Sequence, residues 1–73
     1  MMEQATLLEA RKDGEILVLL DGRKLRVNAG DISKVCTWTP TTGLEINEGE
    51  GDTKFPVTVR NTGNGEEIGA RWI

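Results

Sequence analysis

The chain has no histidine, no tyrosine and a single cysteine, Cys36. Histidine is the commonest general base and metal ligand, and a nucleophilic serine, threonine or cysteine needs such a base beside it. A single cysteine cannot form an intramolecular disulfide, which favours a reducing, cytoplasmic setting. We therefore expect no enzymatic activity, no metal and no cofactor.

Long apolar runs are also missing. No stretch approaches the roughly 20 residues that a membrane-spanning helix needs, and the opening MMEQATLLEARKDG lacks the basic-then-apolar pattern of a signal peptide. Nine Lys and Arg against twelve Asp and Glu give a net charge of −3. This balance argues against general affinity for anionic membranes or for phosphate backbones.

Two stretches imitate ligand-binding loops. The glycines of TGNGEEIGA are spaced G-x-G-x-x-x-G, one residue longer than the dinucleotide fingerprint, and no room is left for its helix. NTGNG is instead expected to be a hairpin turn, with Gly69 a bulge or close-contact position. The acidic stretch EINEGEGD does not meet the EF-hand pattern, so we expect a solvated loop.

What the sequence does contain is a series of short β-favouring runs separated by turn residues, among them EILVLL, RKLRV, LEINE and KFPVTV. This spacing is typical of an all-β barrel or sandwich. We predict a small barrel of five to six short antiparallel strands. Residues 5–73 form the single domain, and residues 1–4 are expected to fray.

The clearest element is LVLLDGRKLRV, in which Asp21-Gly22 favours a two-residue type I′ hairpin turn. That turn would place Val18 opposite Leu25 on the core face. At RKDGE a three-residue loop with Gly14 in the left-handed region would pair Leu8 with Val18. Three leucines are then left on the opposite face, namely Leu7, Leu17 and Leu19.

These leucines have two interpretations. A strongly bent barrel folds them under a loop or under Lys and Arg stems, or they form an apolar strip for a protein partner or a homodimer. Trp38 and Trp72 are likewise either core residues or interface anchors. The last strand, containing ARWI, could also offer an edge for strand addition. We predict a protein-interaction module, with these five residues as its candidate site.

The alternative function is nucleic-acid binding, because small barrels present basic residues on one sheet face. Its candidate residues are Arg23, Lys24, Arg26 and Lys34. Residues 11–34 carry six basic and four acidic groups, and no aromatic residue lies among them. The charge surplus of two is small for a phosphate-binding surface.

The segment VNAGDISKVCTWT predicts a strand, a tight bend and one short helical turn, with Asp31 capping the groups that follow Gly30. Cys36 is expected in a β run as a small buried residue. Together with LLDGRKLRV and TPTTG, the NAGD bend resembles SH3-like barrels, whose members bind proline-rich peptides, nucleic acids or proteins. The chain lacks the aromatic cluster of the peptide-binding SH3 domains. An OB-fold is the structural alternative, but no inter-strand segment is long enough for its usual helix.

Overall fold

A computed structural model describes residues 2–49, 51 and 53–73. Six antiparallel strands form a closed barrel in the order β1-β2-β3-β6-β5-β4, which confirms the predicted all-β class and strand number. The strands are β1 (Met2–Arg11), β2 (Ile16–Leu19), β3 (Lys24–Val27), β4 (Gly43–Glu48), β5 (Val57–Asn61) and β6 (Glu67–Trp72). A 3₁₀ turn (Ala29–Asp31) and one α-helical turn, α1 (Ile32–Val35), lie between β3 and β4.

Strand β1 closes the barrel because it pairs on both sides. Residues 2–6 pair with β4, and residues 7–11 pair with β2. A bulge interrupts the second ladder, since Leu7 lies opposite Leu19 but Glu9 already lies opposite Val18. The extra residue, Leu8, allows Leu7 and Ala10 both to face inward. Residues 2–4, expected to fray, belong to β1, and Met1 lies outside the described residues.

The barrel interior is filled by apolar side chains from all six strands, from α1 and from the loop after α1. These are Leu7, Leu17, Leu19, Leu25, Val27, Val35, Trp38, Leu44, Ile46, Val57, Val59, Ile68 and Ala70. Apart from the bulge in β1, the strands alternate inward and outward residues, as a small closed barrel requires. Leu7, Leu17 and Leu19 are at most 1% exposed and belong to the core. Their predicted place on the face opposite the core, under a loop or as a partner-binding strip, is therefore wrong.

The predicted β2–β3 hairpin exists, but its register is wrong by one residue. Leu17 lies opposite Leu25 and Val18 opposite Lys24, and Leu19 N donates to Arg23 O at 2.8 Å. The loop thus has three residues, 20–22, with Gly22 at φ +97°. Because β2 is apolar on both faces, its pattern does not choose between the two registers. The observed one places the larger leucines in the interior.

The first loop is one residue longer than predicted. Arg11 pairs with Ile16, which leaves residues 12–15 in the turn, and Glu9 rather than Leu8 lies opposite Val18. Gly14 does have a positive φ, of +100°. The hairpin predicted at NTGNG is confirmed, since Asn61 N donates to Glu66 O at 2.8 Å. Gly69 lies in a regular ladder opposite Thr58, so it is not a bulge.

The connection from β3 to β4 contains a 3₁₀ turn (Ala29–Asp31) and then the predicted helical turn α1, to which the Asp31 side chain makes no capping hydrogen bond. Asn28 accepts a hydrogen bond from Gly30 N at 3.2 Å, whereas the Asp31 carboxylate accepts from Gly69 N at 2.9 Å and so ties this connection to β6. Cys36 follows α1 and is exposed, so its predicted burial in a strand is wrong. The helical turn, rather than a β run, occupies this part of the sequence.

Candidate functional site

Part of the molecule's exposed apolar surface lies on the face of β1 and β2 that points away from the core. Leu17 and Leu19 point inward, so the alternating residues Ile16 and Val18 point outward. Leu20 is 64% exposed and Leu8, at the bulge, is 43% exposed. We call Leu8, Ile16, Val18 and Leu20 the outer apolar surface. This surface is distinct from the predicted strip of Leu7, Leu17 and Leu19, which lie in the interior.

The members of this surface are not equally accessible. Val18 is only 4% exposed and lies between Glu9 on β1 and Lys24 on β3. Ile16 is partly exposed and lies between Arg11 and Arg26. A docked partner would therefore contact chiefly Leu8 and Leu20, because Val18 is almost completely buried.

The two tryptophans occupy different environments. Trp38 is 6% exposed and belongs to the core, and its Nε1 donates to Glu66 Oε1 at 2.9 Å. Trp72 is partly buried and packs against the core, while its Nε1 donates to Glu48 Oε1 at 2.6 Å. Trp38 serves chiefly to fill the barrel, and Trp72 lies where the interior meets solvent.

Arg23 is fixed in place by its neighbours at the Trp72 end of the barrel. Its guanidinium donates to both carboxylate oxygens of Glu3, at 3.1 and 2.5 Å, and its Nε donates to Asp21 Oδ2 at 2.8 Å. It also lies over the Trp72 ring, 4.8 Å from the centroid, which is a favourable cation–π distance. Arg23 therefore joins β1, the β2–β3 turn and β6.

These contacts shift the ionisation of all three charged groups. The side-chain hydrogen bond from Arg23 lowers the pKa of Glu3 below its ordinary value of 4.5. The backbone hydrogen bond from Arg23 N and its guanidinium lower the pKa of Asp21 below 3.8. The hydrogen bond to Glu3 is the main cause that raises the pKa of Arg23. The group is solvent-exposed, so it is sensitive to salt.

The four residues predicted for nucleic-acid binding do not form one patch of free cations. Besides Arg23, Arg26 pairs with Glu15 at 2.9 Å and Lys34 pairs with Asp31 at 3.5 Å. Within the described part of the chain, Lys24 is the one member of this set without a carboxylate partner. A second unpaired cation, Arg71, lies on the neighbouring strand, opposite Arg26.

Strand addition at the last strand has no free edge to use. β6 pairs with β3 through residues 70–72 and with β5 through residues 67–70. Since the described strands close into a barrel, a partner must be recognised mainly through side chains. The outer apolar surface and its neighbours are therefore the relevant candidates.

The described residues hold no group of three or more His, Cys, Asp or Glu that could bind a metal ion. Among the helices of this described part, none is both long and apolar enough to cross a bilayer. No protein-family model, no curated protein and no solved structure matches this chain.

Proposed function

We propose that this chain is a non-catalytic, SH3-like interaction module that docks a protein through the outer apolar surface, in a cytoplasmic setting. The observation that carries the proposal is the outward apolar face of β1, β2 and the turn that follows. Leu8 and Leu20 remain exposed there although the interior is already filled by other leucines. Exposed apolar side chains that are grouped on one face favour protein contacts.

The architecture supports recognition by side chains. β1 shares its length between two partner strands, as the bent strands of an SH3-like barrel do, and the closed sheet presents a continuous outer face. Nucleic-acid binding has less support, because Arg23, Arg26 and Lys34 are each held by a carboxylate.

The test compares the wild type with Leu8→Thr/Leu20→Thr, which removes the exposed apolar atoms and keeps residues that favour strands. Met2→Thr is the matched control, because Met2 is 53% exposed and lies at the far end of β1. Each protein is immobilised at equal density and exposed to lysate of its native cell, and retained proteins are quantified by mass spectrometry. Light scattering of each protein measures self-association.

We expect a retained protein, or a dimer of this chain, that is seen with the wild type and Met2→Thr and lost with Leu8→Thr/Leu20→Thr. The wild type and both variants should unfold at similar urea concentrations, since the changed side chains are exposed. Three identical sets of retained proteins together with three monomers would contradict the proposal.

A further inference from the structure

The first half of β1 has a partner strand on one side only. Residues 2–6 pair with β4, whereas pairing with β2 begins at Leu7. Among the residues that the structure describes, no strand or loop forms a backbone hydrogen bond with residues 2–5 on the side away from β4. The ring of strands is closed, but a short stretch of backbone therefore remains open beside the turn that follows β2.

The direction of these open backbone groups follows from the two residues after them. Leu7 N donates to Thr42 O at 2.9 Å, next to the start of β4, whereas Thr6 O accepts from Leu20 N at 2.9 Å on the opposite side. The backbone groups of successive residues in a strand alternate between its two edges. The N–H and C=O of Gln4 therefore both point away from β4, into the open side.

A groove of about 430 Å³ lies along this open backbone, between β1 and the β2–β3 turn. Gln4, Ala5, Leu19 and Leu20 line it, and we call these four residues the edge groove. Ala5 packs against the core, so the inner side of the groove is apolar. An extended chain lying here would bond to both backbone groups of Gln4 and pack alternate side chains against this apolar side.

The charges around the edge groove disfavour a second copy of this chain as its occupant. Two copies paired antiparallel through residues 2–4 would place their Glu3 side chains opposite each other, and like charges in that position are destabilising. Glu3 and Asp21 also bring two carboxylates to the groove against the single guanidinium of Arg23, in a chain of net charge −3. Charge complementarity therefore favours a basic segment of another protein.

On the basis of the proposed function, we propose that the protein partner adds a basic extended segment to the open edge of β1 as a short seventh strand. A residue of the segment opposite Gln4 donates to its C=O and accepts from its N–H. The segment ends beside Leu20, whose own N–H already occupies Thr6 O, and so continues onto the outer apolar surface. Backbone hydrogen bonds supply affinity in this mode of binding, and the alternate side chains supply specificity.

The probe is a synthetic peptide in which valine and threonine alternate, with lysine at both ends. A matched peptide carries glutamate in place of both lysines. Two further lysine peptides carry N-methyl groups on the valine amides or on the threonine amides, because only one alternating set of amides can bond to β1. Binding to the full chain is measured by fluorescence anisotropy, and hydrogen exchange of single amides is measured by NMR.

In the free chain the Gln4 amide should exchange rapidly and the Ala5 amide slowly, because the alternation directs the Ala5 N–H toward β4. The lysine peptide should slow the exchange of Gln4. It should also bind about fivefold more tightly than the glutamate peptide, as two exposed charge contacts would produce, and this preference should shrink at high salt. Methylation of the threonine amides should abolish binding, since valines pointing to the apolar side have amides directed away from β1.

Gln4→Pro removes the open N–H without removing a donor from the β4 ladder, and proline is tolerated on such edges. It should weaken binding of the lysine peptide by about fivefold or more, through one lost hydrogen bond and the bulk of the ring. Gln4→Thr is the matched control, because it changes the side chain and keeps the N–H, and it should bind like the wild type. If Gln4→Pro does not fold, the methylated peptides and the Gln4 amide decide the question.

The outcomes separate this inference from the proposed function. If Leu8→Thr/Leu20→Thr loses a protein retained from lysate but the lysine peptide does not protect the Gln4 amide, the apolar docking surface stands and the added strand is wrong. A Gln4 amide already protected in the free chain, or equal binding of the two methylated peptides, would also overturn the inference. So would a wild-type dimer in light scattering that Gln4→Pro converts to a monomer, because a second copy would then occupy the groove.

Discussion

Gly14 and Gly22 adopt nearly the same left-handed conformation, with φ of +100° and +97°, in different surroundings. A Cβ at Gly14 would lie 3.1 Å from Ile32 O and 3.4 Å from Cys36 Sγ, whereas a Cβ at Gly22 would meet nothing within 4 Å. Gly22→Ala should lower the free energy of unfolding by about 1 kcal/mol through backbone strain. Gly14→Ala should cost roughly 1–2 kcal/mol more, because α1 must move away.

Urea unfolding followed by circular dichroism measures both variants. The difference between them reports the contact between the first turn and α1, since the backbone term is nearly the same in each. Equal losses of stability would show that α1 yields to the added methyl group without cost, and would contradict this prediction.

The contacts of Arg23 join three elements of the barrel and make its stability depend on pH. Glu3 and Asp21 have folded pKa values below their ordinary values of 4.5 and 3.8. A carboxylate whose pKa is lowered by folding stabilises the fold above its unfolded pKa, and this contribution is lost as the pH falls through the folded pKa. The wild type should therefore lose stability in acid.

Arg23→Gln removes the guanidinium and should flatten this acid limb of the stability profile. The measurement is the urea midpoint of both proteins from neutral pH down past the unfolded pKa values of the two carboxylates. Arg60→Gln is the control, since Arg60 pairs with Glu45 and does not contact Glu3 or Asp21. An acid limb of unchanged steepness in Arg23→Gln would show that other carboxylates produce it.

Two of the predicted hairpin registers were wrong, and β1 also contains a bulge that the sequence did not predict. The barrel of six strands follows from the alternation of apolar runs and turn residues and was predicted correctly, whereas the β run predicted around Cys36 is a helical turn and a loop. Nothing in the sequence marks the position of the bulge, because its extra residue, Leu8, is not of a type that favours turns. Asp21-Gly22 fits both a two-residue and a three-residue loop, so only packing against β1 fixes the register.

Deleting Leu8 should therefore leave a folded barrel. The remaining ladder would run Leu7–Leu19, Glu9–Val18 and Ala10–Leu17 without interruption, and every inward residue would stay inward. Deleting Thr58, which lies in regular ladders with Asn47 and Gly69, would instead turn one end of β5 inside out. Thermal unfolding by circular dichroism should show a cooperative transition for the first deletion and none for the second; the reverse order would contradict the bulge's proposed role.

At the scale of the whole molecule, the candidate site was predictable as a kind of surface but not as a set of residues. Four consecutive apolar residues, 16–19, and a fifth at Leu20 guarantee apolar side chains on both faces of the hairpin. Which face turns inward depends on barrel closure, a long-range property. The ion pairs of the basic residues could not be predicted from the sequence either, because the partners can be distant in the chain. Glu3, for example, lies 20 positions from Arg23.

The net charge of −3 and the distribution of ion pairs give a further prediction for the whole molecule. Binding of single-stranded RNA or DNA releases counterions only where cations are available to replace them. Among the residues that the structure describes, five basic side chains are ion-paired. Anisotropy titrations with labelled single-stranded oligonucleotides at low salt should therefore be flat. Saturable binding that weakens with salt and is lost in Lys24→Gln/Arg71→Gln would instead assign Lys24 and Arg71 to nucleic-acid binding.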